Sequence, residues 1–256
     1  MTLTRALILR KLKVTTVHIA LSLVIFLPIL YLLIVEWFPG ALFATSGGWQ
    51  GLRIMLLCDL VIGPLLTFLV FNPAKSRRAL WFDFSLIGLA QAASIAYGIV
   101  AVTSQRPVAV AFSEGVLQPV IQQEFDSQTI DAAEWARLGD GKPYWVFRRE
   151  PKGPDEIAGV MTFAMVEGVA VDALFFLYEP LKANAGALAG AQVDQAKVIK
   201  EIPALAAKFK AIEAQALELK SPTPLLWLRL GGRYADAYIC FDADLKQVNW
   251  IKRDLE

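Results

Sequence analysis

The sequence predicts a membrane α-helical fold, three transmembrane helices followed by an α+β extracytoplasmic domain. Three observations predict it. Three mostly apolar runs of about 20 residues lie within the first 103 positions, the length a helix needs to cross a hydrocarbon core of about 30 Å. Charge is divided unequally. Residues 1–103 carry eight basic and three acidic side chains, a net of +5, whereas residues 104–256 carry 17 basic and 21 acidic, a net of −4. From residue 104 onward, short strand-like and helix-like patterns replace the long apolar runs. The expected divisions are a cytoplasmic segment at 1–16, a three-helix transmembrane domain at 17–103 and the α+β domain at 104–256.

Over all 256 residues, 56% are hydrophobic and 19% charged, against roughly 45–50% and about 25% in ordinary soluble domains. This excludes a disordered chain, a collagen-like chain, a disulfide-dense scaffold and a nucleic-acid binder with a basic face. The two cysteines, Cys58 and Cys240, read as separate buried hydrophobes. The single histidine, His18, opens the first apolar run and reads as an interfacial residue on the cytoplasmic side. One histidine builds neither a His-rich metal site nor a His-based triad. No metal and no cofactor are expected.

The expected spans are 17–37, 52–71 and 81–103. The first has a basic start like a signal peptide. Its apolar core exceeds the usual 7–15 residues and no clear small-residue cleavage site follows, so it reads as an uncleaved anchor. Orientation follows from the short flanks. Arg5, Arg10, Lys11 and Lys13 precede the first span, and Lys75, Arg77 and Arg78 lie between the second and third. The 38–51 loop carries no charge. The N-terminus and the 72–80 loop are therefore expected inside, and residues 104–256 outside. A fourth span at 157–178 competes with this topology. Glu167 and Asp172 near its centre would cost roughly 5–7 kcal/mol on insertion. The preferred reading is two short buried elements, broken at Glu167-Gly168.

Polar residues inside the spans mark the candidate site. Asp59 in the second span is too costly to face lipid as a charge, so it should face protein. Gly63 and Thr67 follow on the same face, and Pro64 frees a backbone carbonyl beside Asp59. The third span carries Gly88, Ala92 and Ala96, a small-residue packing stripe bordered by Gln91. Matching depths would place Asp59 level with Tyr97 and Tyr31. Two readings stay open. Asp59 either bonds Tyr97, Tyr31 or Arg53 and pins the bundle, or it grips a polar group on a partner's transmembrane helix. Asp83 should reach the interface or pair with Arg77 or Arg78.

In the outer domain, 106–112 reads as a strand leaving the membrane, with the next apolar segment pairing beside it. Residues 129–138 have a helical pattern and 143–149 alternate as a strand. A helix is expected from about 203 to 220, closed by Pro222 and Pro224. Three strand-like runs then form a meander. Asp242 and Asp244 read as turn residues, and Arg148-Arg149 as a solvated strand edge. No catalytic or phosphate-binding motif is present.

In order along the chain stand WFPGALFATSGG, DLVIGPLLTFLVF, NPAKSRR, FDFSLIGLAQAASIAYG and QRPVAVAF, spanning about 36–112. In order and spacing, these motifs resemble the type IV pilin accessory proteins (TfpX/TfpZ type) of bacterial inner membranes. The outer domain matches more loosely, through LYEPL and the final LRLGGR to NWI, and the family's Pro-Trp ending has no counterpart in the terminal IKRDLE. The resemblance implies a non-enzymatic inner-membrane factor with a periplasmic domain, which chaperones the major type IV pilin and supports its assembly or display. Its implied partners are that pilin, the lipid bilayer and other pilus assembly proteins, with no nucleic acid. The motif residues it points to are Asp59, Gly63, Pro64, Asp83, Gln91, Arg106 and Pro107. The competing reading is an extracytoplasmic sensor or ligand-binding protein; against it, the expected cytoplasmic parts are too short to hold an output domain, so any signal would have to pass through a partner.

Overall fold

The computed structural model describes residues 5–253. The start of the 1–16 segment and the terminal Asp-Leu-Glu, where a Pro-Trp ending would be sought, lie outside the described residues.

Helix α1 (Arg5–Tyr31) runs into a π-helical turn at Leu32–Trp37. After the short α2 (Ala41–Thr45), α3 (Gly48–Leu56) continues through a second π-helical turn, Leu57–Ile62, into α4 (Gly63–Val70). Helix α5 (Arg77–Ser104) follows. Three helical stretches, Arg5–Trp37, Gly48–Val70 and Arg77–Ser104, are long and apolar enough to cross a membrane. They are longer than the apolar runs that predict them, because a helix propagates into flanking good formers such as Arg10, Lys11 and Lys13 whatever their polarity.

The remaining elements are strands β1 (Pro107–Ser113), β2 (Val116–Ile121), β3 (Tyr144–Arg148), β4 (Tyr178–Pro180), β5 (Leu226–Leu230), β6 (Asp236–Phe241) and β7 (Gln247–Arg253), with helices α6 (Ala132–Ala136), α7 (Gly153–Glu167), α8 (Ala185–Gly190), α9 (Gln195–Glu201) and α10 (Leu205–Glu218). The chain divides into two compact units. One takes the residues up to Trp37 with Gly48–Thr103, and the other takes Phe38–Gly47 with everything from Ser104 onward. This corrects the expected boundary. Phe38, Ala41, Leu42 and Thr45 are buried in the sheet unit, where α2 packs on β6 and β7.

The strands form one mixed sheet in the order β4-β3-β1-β2-β5-β6-β7. The expected meander is present, since β5, β6 and β7 pair antiparallel in sequence. The expected neighbour of β1 is also present as antiparallel β2, while β1–β3 and β2–β5 pair parallel. Side chains alternate with period two, so each strand supplies both faces. Val110, Phe112, Leu228, Leu230, Ile239 and Phe241 pack with Leu42, Leu181 and Leu188. Ala109, Ala111 and Val146 join Phe125, Phe175 and Tyr178. Trp227, Tyr238 and Cys240 lie against Phe209 and Ile212 of α10. A sheet covered on both sides explains why its strands read as nearly continuous apolar runs.

Segment 157–178 breaks where its acids and glycine suggest. Helix α7 stops at Gly168, whose backbone is left-handed at φ 65°, a conformation glycine adopts without steric cost. Two 3-10 turns, Val171–Ala173 and Phe175–Leu177, then lead into β4. The two arginines before α7 are not a wet edge. Strand β3 is interior to the sheet, and the Arg148 side chain is only 4% exposed. It donates to Ser113 Oγ at 2.6 and 2.9 Å and to Glu150 at 2.9 Å, and pairs with Asp172 at 2.7 Å. A buried guanidinium needs such a set of acceptors.

Candidate functional site

The three-helix unit inverts the usual soluble pattern. Its inward positions include Ser22, Asp59 and Thr67, all buried, while Leu21, Leu69, Phe82 and Leu89 are exposed. Phe26, Ile29 and Met55 form an apolar contact, with Leu52, Leu60, Ile95 and Ile99 against it. Lys11 closes the end of α4 by donating to the carbonyls of Phe68 at 2.8 Å and Leu69 at 3.3 Å. Those carbonyls have no partner within the helix, and the cation opposes the helix dipole there.

The polar centre is built around the second π-helical turn. At its end the Gly63 N–H donates to Cys58 O, five residues back. The next donor in that pattern would serve Asp59 O, but residue 64 is proline and has no N–H. Gln91 Nε2 of α5 donates to this carbonyl instead, at a long 3.5 Å. Gly63 leaves the room for it. A Cβ there would sit inside contact distance of the Gln91 amide, 2.7 Å from its Cδ, and 3.1 Å from His18 Nε2. His18 Nδ1 shares a 2.7 Å hydrogen bond with Thr67 Oγ1. Asp59 is 4% exposed, and its Oδ1 hydrogen-bonds to nothing among the described residues. His18, Ser22, Asp59, Thr67 and Gln91 border a crevice of about 400 Å³, lined otherwise by apolar side chains and Gly88 and Ala92.

The structure thus gathers Asp59, Gly63 and Gln91, with Pro64 buried beside them. It does not give Asp59 the expected partners. Tyr31 and Tyr97 are exposed, and Arg53 lies over the Trp49 ring at 5.7 Å. The depth estimate failed because the helices extend beyond their apolar runs. Asp59 is the midpoint of Gly48–Val70, and the midpoints of the other two stretches fall near Leu21 and Gln91. Asp83 stands apart from the crevice and pairs with Lys75 at 2.6 Å, not with Arg77 or Arg78. Arg106 and Pro107 belong to the sheet unit. Arg106 bonds Gln122 at 3.3 Å, and Pro107 opposite Ile121 opens β1. His18 is the residue sequence reasoning misplaced. Its signal was a lone polar ring within apolar surroundings, four residues before Ser22 on the same helical face.

The sheet unit holds its own buried polar groups. Burial first, then the neighbouring Asp172, raises the pKa of Glu124. Burial likewise pushes the Tyr178 phenol well up, and its hydroxyl donates to Asp172 O at 2.6 Å. The Cys240 thiol is pushed up to about 12, mainly by burial, so it stays protonated and inert at neutral pH. Asp242 Oδ1 accepts from the backbone N–H groups of Asp244 and Lys246, as expected of a turn. Among the described residues, no three His, Cys, Asp or Glu side chains come together to hold a metal.

The chain thus carries a unit of three long apolar helices with a polar crevice, followed by an α+β domain. The chain is 33% identical over 100 residues to the fimbrial assembly protein of serogroups C1 and C2 of Dichelobacter nodosus, which covers 39% of this chain and 76% of that protein. It is 34% identical over 100 residues to the serogroup E1 fimbrial assembly protein and 33% to that of serogroup I, both from the same organism. This chain belongs to the fimbrial assembly protein family. Its match to the E1 and I proteins spans 39% of their length. No protein-family model matches the chain, and no solved structure matches it significantly.

Proposed function

We propose that this chain is an inner-membrane accessory factor for type IV fimbria biogenesis that binds the major fimbrial subunit without catalysis. The similarity to fimbrial assembly proteins carries the reading. The inverted three-helix unit supports the membrane setting, since polar side chains turned inward and apolar ones outward suit a lipid solvent. On this reading the N-terminus is cytoplasmic and the sheet domain periplasmic, following the basic flanks. A subunit awaiting assembly would be held at two places, by the helices in the membrane and by the domain outside it. Two weak contacts joined in one chain raise affinity through effective concentration.

Crosslinking in living cells tests this. Photo-reactive residues placed in turn along α5 and over the exposed sheet domain should recover the major fimbrial subunit. Recovery of only a second copy of this chain from every position would overturn the proposal.

A further inference from the structure

The crevice between the apolar helices has an acceptor with no donor. Asp59 Oδ1 is buried and unpartnered among the described residues, and a buried carboxylate oxygen left so is costly. Beyond His18, Ser22, Thr67 and Gln91 the walls around it are apolar, with Val17, Leu21, Ile25 and Phe84 among them. Helix α5 buries only Ile87, and a Cβ at Gly88 would meet nothing within 4 Å. Gly88 and Ala92 therefore form an open strip on the crevice wall, the surface against which another helix backbone packs closely. Asp59 lies eleven residues from either end of Gly48–Val70, roughly 16 Å along the axis. That depth favours a donor carried on a membrane-crossing helix over a lipid headgroup, which stays near the bilayer surface. A space of about 400 Å³ takes the side chains of about one turn of such a helix.

We propose that this crevice receives one turn of an apolar membrane helix of the fimbrial subunit, and that a hydroxyl or amine on that turn donates to Asp59. The proposal rests on the preceding reading that this chain binds the subunit. Gln91 and the His18–Thr67 pair line the seat and hold the helix backbone around Asp59 in place.

The test uses the full chain in its own membrane, with benzoylphenylalanine replacing Phe84 on the crevice wall. Illumination should capture the fimbrial subunit, with the crosslink mapping to its apolar helix. Asp59→Leu should lower the yield at least tenfold, whereas Asp59→Asn, which keeps an acceptor, should lower it less than threefold. Ala92→Leu, which fills the strip and leaves the carboxylate untouched, should also lower it tenfold and serves if the Asp59 variants fail to accumulate. Yields are compared at equal abundance and equal protease resistance. Capture of the subunit from the sheet domain but not from Phe84, or capture at Phe84 indifferent to Asp59→Leu and Ala92→Leu, would overturn the seat and leave the binding function standing. Capture of lipid alone or of a second copy at Phe84 would also overturn it. Failure to capture the subunit from any position would remove both.

Discussion

Glu156 sits in the first turn of α7, where two donors converge on its carboxylate. Arg149 Nη2 donates to it at 2.6 Å, and the Lys152 N–H donates to it as well. Chiefly through the arginine and then the backbone N–H, these hold the carboxyl at about 2, well below its ordinary 4.5. A depressed folded-state pKa contributes stability that is complete above about pH 4.5 and is lost as pH falls towards 2. In acid titrations of the detergent-solubilised chain, Glu156→Gln should unfold with a shallower pH dependence across that window. A slope equal to that of the unmodified chain would count against the pairing. Arg148 is a second case. Replacing it with Ala strands Ser113 and Asp172 inside the sheet unit and should cost about 2 kcal/mol, less than the full penalty of a broken buried pair because Asp172 is partly wet. Arg148→Lys should recover little of this, since a lysine lacks the planar fork that serves three acceptors at once. Thermal unfolding of the two variants checks both statements.

Among the elements, α2 depends most on a single close approach. The Gly231-Gly232 turn after β5 lies directly against it. A Cβ on Gly232 would fall 2.5 Å from Thr45 Cβ and 2.7 Å from Thr45 O, and closer to Ala235 O. Thr45 O accepts from the Tyr234 N–H at 3.0 Å. Backbone atoms cannot swing aside as a side-chain end can, so Gly232→Ala should destabilise the sheet unit by about 1–3 kcal/mol. Limited proteolysis should then cut within 38–47 sooner than in the unmodified chain. Gly63→Ala is the contrast. The nearest group there is the flexible end of Gln91, so the helices should survive while the glutamine moves off the Asp59 carbonyl. Helix ends follow local chemistry more simply. Asp131 and Glu134 form a reciprocal capping box at the start of α6, legible in the sequence as an acid three residues before a glutamate.

At the scale of the whole chain, the basic side chains set the expected orientation. Seven basic side chains precede the first expected span or lie in the 72–80 loop, and none lies in 38–51. A periplasm-active reporter fused after Glu256 should therefore work, and a cytosol-active one should not. The opposite result would reverse the topology and separate the sheet domain from any subunit head outside the membrane. The family relation bears on this scale as well. The matched stretch covers 100 residues, 39% of this chain.

The sequence alone determined the elements whose signal is periodic or compositional. Three apolar runs of about 20 residues predict helices long enough to cross a membrane, and three such helices are present. The β5–β7 meander follows from apolar strands parted by turn residues, and the end of α7 from a glycine able to turn left-handed. Neither signal records what meets across a fold. Tertiary structure alone decided that Gln91 replaces the N–H that Pro64 lacks, that His18 turns to Thr67, that Arg148 is buried and not on an edge, and that Phe38–Gly47 belongs to the unit that holds the sheet. Each depends on residues far apart in sequence reaching one place, where packing and the need to pair buried polar atoms override local preference.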